Sequence, residues 1–171
     1  MKENMPLEIE RKYLIRRPDV KTLAALPEVR ADEITQTYLT FGEDGFSRRV
    51  RKRGTSERGW SYTYTRKQTV SFGERIELED EISEADYQAL LQEAEPSMHP
   101  IRKVRHVFTY LGQVFELDVY DFSDELATLE MELPSIDTPV TLPPEIGIIA
   151  DVTGQKAYSN FAMSKRLAFP E

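Results

Sequence analysis

Charged and apolar residues alternate through most of this 171-residue chain, in short segments separated by turn signals. Successive side chains of a β-strand point to opposite faces, so a period of two predicts strands with one ionisable face and one apolar face. The clearest predicted strands are Leu7–Ile15, Arg75–Ile82, Val114–Tyr120 and Ala127–Leu133. Apart from Thr63 and Thr65, the polar faces consist almost wholly of acids and bases. The pattern predicts a mainly β fold whose polar faces are unusually rich in charge.

The remaining predicted elements complete a chain of about eight strands and three helices. The further strands are Thr35–Thr40, Phe46–Arg53, Trp60–Lys67 and Lys103–Leu111. The predicted helices are Pro18–Leu26, Ser83–Glu95 and Gln155–Leu167. Ser83 and Asp86 resemble a capping box, and Pro96 ends that helix. We expect a single domain spanning residues 1–171.

Composition excludes several classes of function. The chain has no cysteine and only two histidines, which excludes disulfides, thiolate zinc sites and cysteine nucleophiles. A net charge of −8 argues against a general nucleic-acid partner. No stretch approaches the roughly 20 apolar residues of a membrane span, and the first fifteen residues lack the apolar run of a signal peptide. We therefore expect a soluble cytoplasmic protein without a membrane partner.

The charged strand faces fit two arrangements. In the first, the apolar faces form an ordinary core and the charged faces are exposed to solvent. In the second, the strands close into a barrel whose lumen is lined with charge and whose apolar exterior is covered by helices. Periodicity alone favours the first arrangement.

If the charged faces converge, their chemistry points to phosphate and a metal ion. Arginine and lysine donate to phosphate oxygens, and arginine can do so through two hydrogen bonds at once. Carboxylates are ligands for a hard cation such as Mg²⁺ or Mn²⁺. The chain has no GxxxxGK[ST] phosphate loop, so a P-loop enzyme is excluded.

An ordered series of motifs resembles the CYTH superfamily, the triphosphate tunnel metalloenzymes. Its signature is the ExExK motif of Glu8–Lys12, which is weak evidence when it stands alone. The series continues in family order through Gln36–Leu39, Arg49–Arg51, Thr65–Lys67, Glu77–Glu79, Lys103–Arg105, Phe115–Val119, Glu130–Glu132, and Lys156 with Tyr158. The resemblance covers nearly the whole chain and favours the barrel.

By this resemblance the fold is α+β, an eight-stranded antiparallel closed β-barrel with a charged lumen and helices packed outside. The implied metal ligands, for Mg²⁺ or Mn²⁺, are Glu8, Glu10, Glu130 and Glu132. The implied triphosphate-binding residues are Lys12, Arg49, Arg51, Lys67, Lys103, Arg105 and Lys156. The implied catalytic residues are Glu8, Glu10, Tyr38 and Lys103. The implied supporting acids are Glu77, Glu79 and Asp118. Arg66 competes with Lys67 for the lumen position, and alternation with Thr63 and Thr65 favours Lys67.

The resemblance implies hydrolysis of inorganic triphosphate to pyrophosphate and phosphate. Three alternatives stay open: a class IV-type adenylate cyclase that converts ATP to cyclic AMP, a thiamine triphosphatase, and a protein that binds polyphosphate or nucleotides without turnover. The expected partner is thus inorganic triphosphate or an organic triphosphate. The assembly state is open, with a homodimer among the expectations.

Overall fold

A computed structural model describes residues 9–71, 74–135 and 137–171, with side chains at 69–71 and 74–75 left undescribed. The predicted ligand Glu8 lies outside these residues. The elements in chain order are β1 Ile9–Arg16, α1 Val20–Ala24, β2 Arg30–Leu39, β3 Ser47–Thr55, β4 Gly59–Ser71, β5 Glu74–Ile82, α2 Glu84–Leu90, β6 Ile101–Tyr110, β7 Gln113–Tyr120, β8 Leu126–Leu133, β9 Ile148–Asp151 and α3 Asn160–Met163. Short 3₁₀ turns occupy Leu91–Glu93 and Lys156–Tyr158.

The mainly antiparallel α+β class is confirmed, and each of the predicted strands corresponds to one of β1 to β8. The strand count is wrong, because the described residues contain a ninth strand. This strand, β9, pairs antiparallel with β1, whose other edge pairs with β8. Both edges of β1 are therefore occupied. The hydrogen-bonded order has two ends, β5 and β9, so closure into a barrel is not found in the described residues.

The predicted helix Gln155–Leu167 is wrong in its extent. Its first part is the 3₁₀ turn, and its second is the single-turn helix α3. Ser159 separates them, since its extended backbone interrupts the helix and its Oγ accepts a hydrogen bond from the backbone N–H of Ala162 (3.1 Å). Among the described helices, none combines the length and apolar character needed to cross a membrane.

The chain divides into two compact units. The first contains the described residues of Met1–Ala31 and Val104–Tyr158, and the second those of Asp32–Lys103 and Ser159–Glu171. A single domain over residues 1–171 stays a prediction.

In the first unit, β7, β8, β1 and β9 are neighbours in that order. The registers align Leu117 with Leu129 and Leu129 with Tyr13, so one face of these strands is apolar. This face packs into a core of buried residues that also takes Leu23 from α1 and Phe108, which stacks on Phe115 at 5.2 Å. Each buried leucine side chain contributes about 1.5–3 kcal/mol. The opposite face carries the acids.

In the second unit, β5, β4, β3 and β2 are neighbours in that order. Helix α2 covers one face, where Tyr87 contacts Tyr62 at 4.9 Å and lies in a core cluster with Leu39 and Val50. The predicted start of this helix is confirmed, because Ser83 Oγ accepts a hydrogen bond from the N–H of Asp86 (3.0 Å). Strand alternation places Arg49 and Arg51 on the other face, which α2 does not cover.

Candidate functional site

In the first unit, strand register gathers carboxylates around Lys12. Lys12 lies directly opposite Glu130, Glu10 lies opposite Glu132, and Glu116 lies opposite Glu130 on the other side. The buried Lys12 ammonium is 3.3 Å from Glu130 Oε1 and donates to the backbone carbonyl of Tyr158 at 2.7 Å. These five residues form the acid cluster: Glu10, Lys12, Glu116, Glu130 and Glu132.

Within the acid cluster, two carboxylates stand in direct contact. The pKa of Glu10 is raised, first by loss of hydration and then by the neighbouring Glu130 carboxylate, while Lys12 partly opposes the rise. The side-chain interaction with Glu130 also raises this pKa, because a proton on Glu10 can be donated to the Glu130 carboxylate. A cation in place of that proton would relieve the repulsion.

The acid cluster fits a divalent ion that uses few protein ligands. No group of three or more His, Asp or Glu residues close enough to hold a metal occurs among the described residues. Glu10 and Glu130 therefore offer a pair, and Glu132 is exposed. Mg²⁺ is usually bound through one or two carboxylates, with substrate phosphates and waters completing its shell. The donor set suits Mg²⁺ or Mn²⁺ held together with a phosphate substrate.

Arg105 is engaged by acids at all three of its guanidinium nitrogens. Nε and Nη2 bind the two carboxylate oxygens of Asp118 at 2.8 and 2.9 Å, and Nη1 lies 3.2 Å from Glu116 Oε2. Burial alone would lower the pKa of Arg105, but the hydrogen bonds and charge of Asp118 raise it well above its ordinary value. Asp118, predicted as a supporting acid, thus holds a basic residue in place.

In the second unit, a buried amide joins Arg51 to Tyr38. Arg51 donates from Nε and Nη2 to Gln36 Oε1 at 3.2 and 3.0 Å. Gln36 Nε2 in turn donates to the Tyr38 hydroxyl at 2.9 Å. The Tyr38 ring packs edge-on against Phe161 with centroids 5.3 Å apart. The pKa of Tyr38 is raised by burial, against opposing contributions from Arg49, Gln36 and Arg51.

Arg49 carries an unsatisfied donor on the same face. Its Nε is buried and has no hydrogen-bond partner within the described part of the chain. Register places Arg49 directly opposite Tyr38, and its guanidinium interacts with the Tyr38 hydroxyl. A buried donor without an acceptor costs free energy, which an anion such as phosphate would recover.

The other predicted residues of the second unit are partnered in different ways. Lys67 lies on the face of Arg49, and its Nζ is 3.9 Å from Glu77 Oε1. Arg66 lies on the opposite face against the rings of Phe46 and Tyr64. The side-chain Nζ of the buried Lys103 donates to Asn160 Oδ1 at 3.1 Å. Glu79 accepts a hydrogen bond from Thr65 at 3.0 Å.

Three contacts of the predicted residues were not anticipated from the sequence. They involve Gln36, the Tyr158 carbonyl and Asn160. Gln36 belongs to the Gln36–Leu39 motif and shares a strand face with Tyr38, so the two-residue alternation along β2 could have identified Gln36 as a neighbour of Tyr38. The Asn160 contact spans 57 positions in sequence, and no local pattern indicates it. Lys156 lies exposed in the 3₁₀ turn.

The chain matches a known family and is similar to several solved structures. A family model described as CYTH domain matches residues 6–149. The chain is similar to the crystal structure of the inorganic triphosphatase NE1496, at 31% identity over 98% of this chain and 99% of that one, with a TM-score of 0.64. A crystal structure of the hypothetical protein NE1496 gives 30% identity over 96% and 100%, with the same TM-score. The PH1819 protein from Pyrococcus horikoshii OT3 shares the fold, with a TM-score of 0.52 at 18% identity over 77% and 81%. No curated protein matches the chain.

Proposed function

Because the chain belongs to the CYTH domain family, which confirms the resemblance seen in its motifs, we propose that it hydrolyses inorganic triphosphate with the help of a divalent metal ion. The observation that carries the proposal is the likeness to the inorganic triphosphatase NE1496 over almost the full length of both chains. Triphosphate hydrolysis as a class of activity is supported at the family level. The inorganic substrate and the metal are the finer parts of the proposal.

The acid cluster is the proposed metal site. Glu10 and Glu130 would hold the ion, with Glu8, which lies outside the described residues, as a further predicted ligand. Glu132 does not join them in a group close enough to hold a metal within the described part of the chain. When bound, Mg²⁺ or Mn²⁺ would neutralise phosphate charge and make phosphorus more open to attack. We assign to Glu8 or Glu10 the additional task of accepting a hydrogen bond from the attacking water.

The basic residues implied by the motifs are the proposed hydrogen-bond donors to phosphate in each unit. A triphosphate carries about four negative charges, so it needs several cations near it. The proposed donors are Lys12, Arg49, Arg51, Lys67, Lys103 and Lys156. The unsatisfied Nε of Arg49 is the strongest support in the structure. Arg105 already has acid partners at each nitrogen, so we assign it the role of fixing Asp118 and Glu116. We assign Tyr38 a hydrogen bond to the reacting phosphate.

The experiment is phosphate release from inorganic triphosphate, ATP and thiamine triphosphate, each with Mg²⁺, Mn²⁺ or a chelator. We expect turnover of inorganic triphosphate that the chelator abolishes and that exceeds turnover of the organic substrates. Glu10→Gln should remove it. Glu33→Gln is the matched control, since Glu33 is an exposed strand glutamate in β2 outside the predicted site.

Each alternative has its own outcome. Cyclic AMP formed from ATP, without phosphate release from triphosphate, would replace the hydrolase with a cyclase. Preferred turnover of thiamine triphosphate would change the substrate alone. Tight binding of triphosphate without products would leave a binding protein.

A further inference from the structure

The most completely buried side-chain amide described in the second unit lies between two predicted site residues. Gln36 is 0% exposed, and its strand register places it directly opposite Arg51. It shares a strand face with Tyr38, two residues further along β2. Its oxygen accepts two hydrogen bonds from Arg51, and its nitrogen donates one to Tyr38 Oη.

The chemistry of arginine fixes which way this amide points. A guanidinium has only donors, so the amide oxygen must face Arg51 and the amide nitrogen must face Tyr38. The Tyr38 oxygen is then an acceptor in that hydrogen bond. The Arg49 guanidinium, which also interacts with the hydroxyl, is a donor as well. The Gln36 hydrogen bond therefore occupies a lone pair of the Tyr38 oxygen, and neither Gln36 nor Arg49 can take the Tyr38 proton.

We propose that Gln36 is a positioning residue that makes Tyr38 a one-way hydrogen-bond donor toward the triphosphate while holding Arg51 in place. This inference rests on the proposed function. Gln36 is not itself proposed to touch substrate. Its nitrogen occupies a lone pair of the hydroxyl, so the O–H bond is directed at an incoming anionic oxygen. Its oxygen holds the Arg51 guanidinium in one plane, so less side-chain conformational entropy is lost when triphosphate binds.

A purely packing role would not need this group. Methionine has a similar shape and would fill the same space without the cost of burying an amide. The Phe161 ring already limits the Tyr38 side chain by an edge-on contact. The amide adds a hydrogen-bond direction, which packing does not supply.

The test compares two substitutions of Gln36 with Tyr38→Phe. Gln36→Met removes all three hydrogen bonds at nearly constant volume. Gln36→Glu keeps an acceptor for Arg51 but also presents an acceptor to Tyr38, so the tyrosine proton turns toward residue 36. We expect each variant, and Tyr38→Phe as well, to lower kcat for triphosphate by about 10- to 100-fold. Gln36→Met should also raise KM, because Arg51 loses its two hydrogen bonds to Gln36.

The decisive readout is the double variant. Because both changes remove the same donated hydrogen bond, Gln36→Met with Tyr38→Phe should lower kcat no more than about threefold below Tyr38→Phe alone. If the two substitutions caused independent structural defects, their reductions in kcat would instead multiply. Gln113→Met and Gln113→Glu are the controls, since Gln113 lies in β7 and bonds only backbone carbonyls in the recorded contacts. These controls should leave kcat unchanged.

The outcomes separate this inference from the proposed function. A wild-type chain that does not hydrolyse triphosphate overturns both. An active wild type with multiplying effects in the double variant, or with unchanged kcat in Gln36→Glu, overturns the role of Gln36 alone. Thermal unfolding of each variant shows whether it folds. If Gln36→Met does not fold, Gln36→Glu alone and with Tyr38→Phe decides the question in the same way.

Discussion

Replacing Asp118 with alanine should cost more stability than removing any exposed acid of this chain. Asp118 has a side chain that is 1% exposed, and it holds two nitrogens of the buried Arg105 at 2.8 and 2.9 Å. Removing one partner of a buried ion pair leaves the other charge uncompensated, which typically costs about 3–5 kcal/mol. Glu116 remains 3.2 Å from Arg105 Nη1 and retains part of the attraction. We therefore expect a loss of about 3 kcal/mol, at the lower end of that range.

The measurement is urea unfolding followed by circular dichroism. With a denaturant slope of about 2 kcal/mol/M, a loss of about 3 kcal/mol lowers the midpoint by about 1.5 M. Asp124→Ala is the matched control, because fully exposed Asp124 lies 3.9 Å from Arg17. An exposed pair of this kind contributes about 0–1 kcal/mol, so the control midpoint should move by less than about 0.5 M.

A second variant separates the lost charge pairing from the lost packing. Arg105→Met combined with Asp118→Leu replaces the pair with apolar side chains, and such replacements of buried pairs are often neutral or stabilising. It should restore most of the midpoint lost in Asp118→Ala. We infer that the Asp118 carboxylate offsets the free-energy cost of burying the Arg105 charge. This inference is refuted if Asp118→Ala unfolds at the same urea concentration as Asp124→Ala.

Two further predictions concern the charges that the structure leaves less well paired. The pKa of Glu10 is raised in the folded chain. Its contribution to folding stability is therefore complete below the ordinary glutamate pKa and is lost as pH rises through the raised value. With chelator present, Glu10→Gln should raise the thermal unfolding midpoint near pH 7.5 but not near pH 4. An equal gain at both pH values would contradict this cause. Arg49→Ala should raise KM for triphosphate by about tenfold or more in a steady-state assay, because an arginine–phosphate contact is lost. Arg66→Ala should leave KM unchanged in the same assay, because Arg66 lies on the opposite face of the neighbouring strand. An unchanged KM in Arg49→Ala would remove Arg49 from phosphate binding.

The sequence was sufficient to predict where the charged strand faces lie, because alternation is a local property. Glu10 and Lys12 lie on one face of β1, and the register with β8 brings the alternating acids Glu130 and Glu132 onto that face. Two-residue alternation likewise separates Lys67 from Arg66 without any knowledge of the fold. The start of α2 was predictable for the same reason, since Ser83 and Asp86 are three residues apart and form a local capping interaction.

The features that escaped prediction depend on distant partners. Strand β9 has only four residues and no alternation of charge, and it is a strand because β1 offers an open edge. Its presence also occupies the edge of β1 that a closed barrel would need. The predicted C-terminal helix failed because helical spacing of apolar residues does not reveal Ser159, which ends one turn and caps the next.

The charged side chains of this chain fall into two physically different groups. Arg105 with Asp118, and Asp32 with Arg53 and Arg58, form close ion pairs in which each carboxylate is almost fully buried. The contact of Glu10 with Glu130 and the unsatisfied Nε of Arg49 are instead costly in the folded chain as it stands. A cost of this kind persists where a ligand repays it, because a cation relieves two adjacent carboxylates and an anion satisfies a buried donor. Arg66 Nε is also buried without a hydrogen-bond partner in the described residues, but it lies on the opposite strand face, against Phe46 and Tyr64. Residual imbalance together with position on the predicted site face therefore selects the Glu10–Glu130 pair and Arg49 as the first places to test for metal and triphosphate.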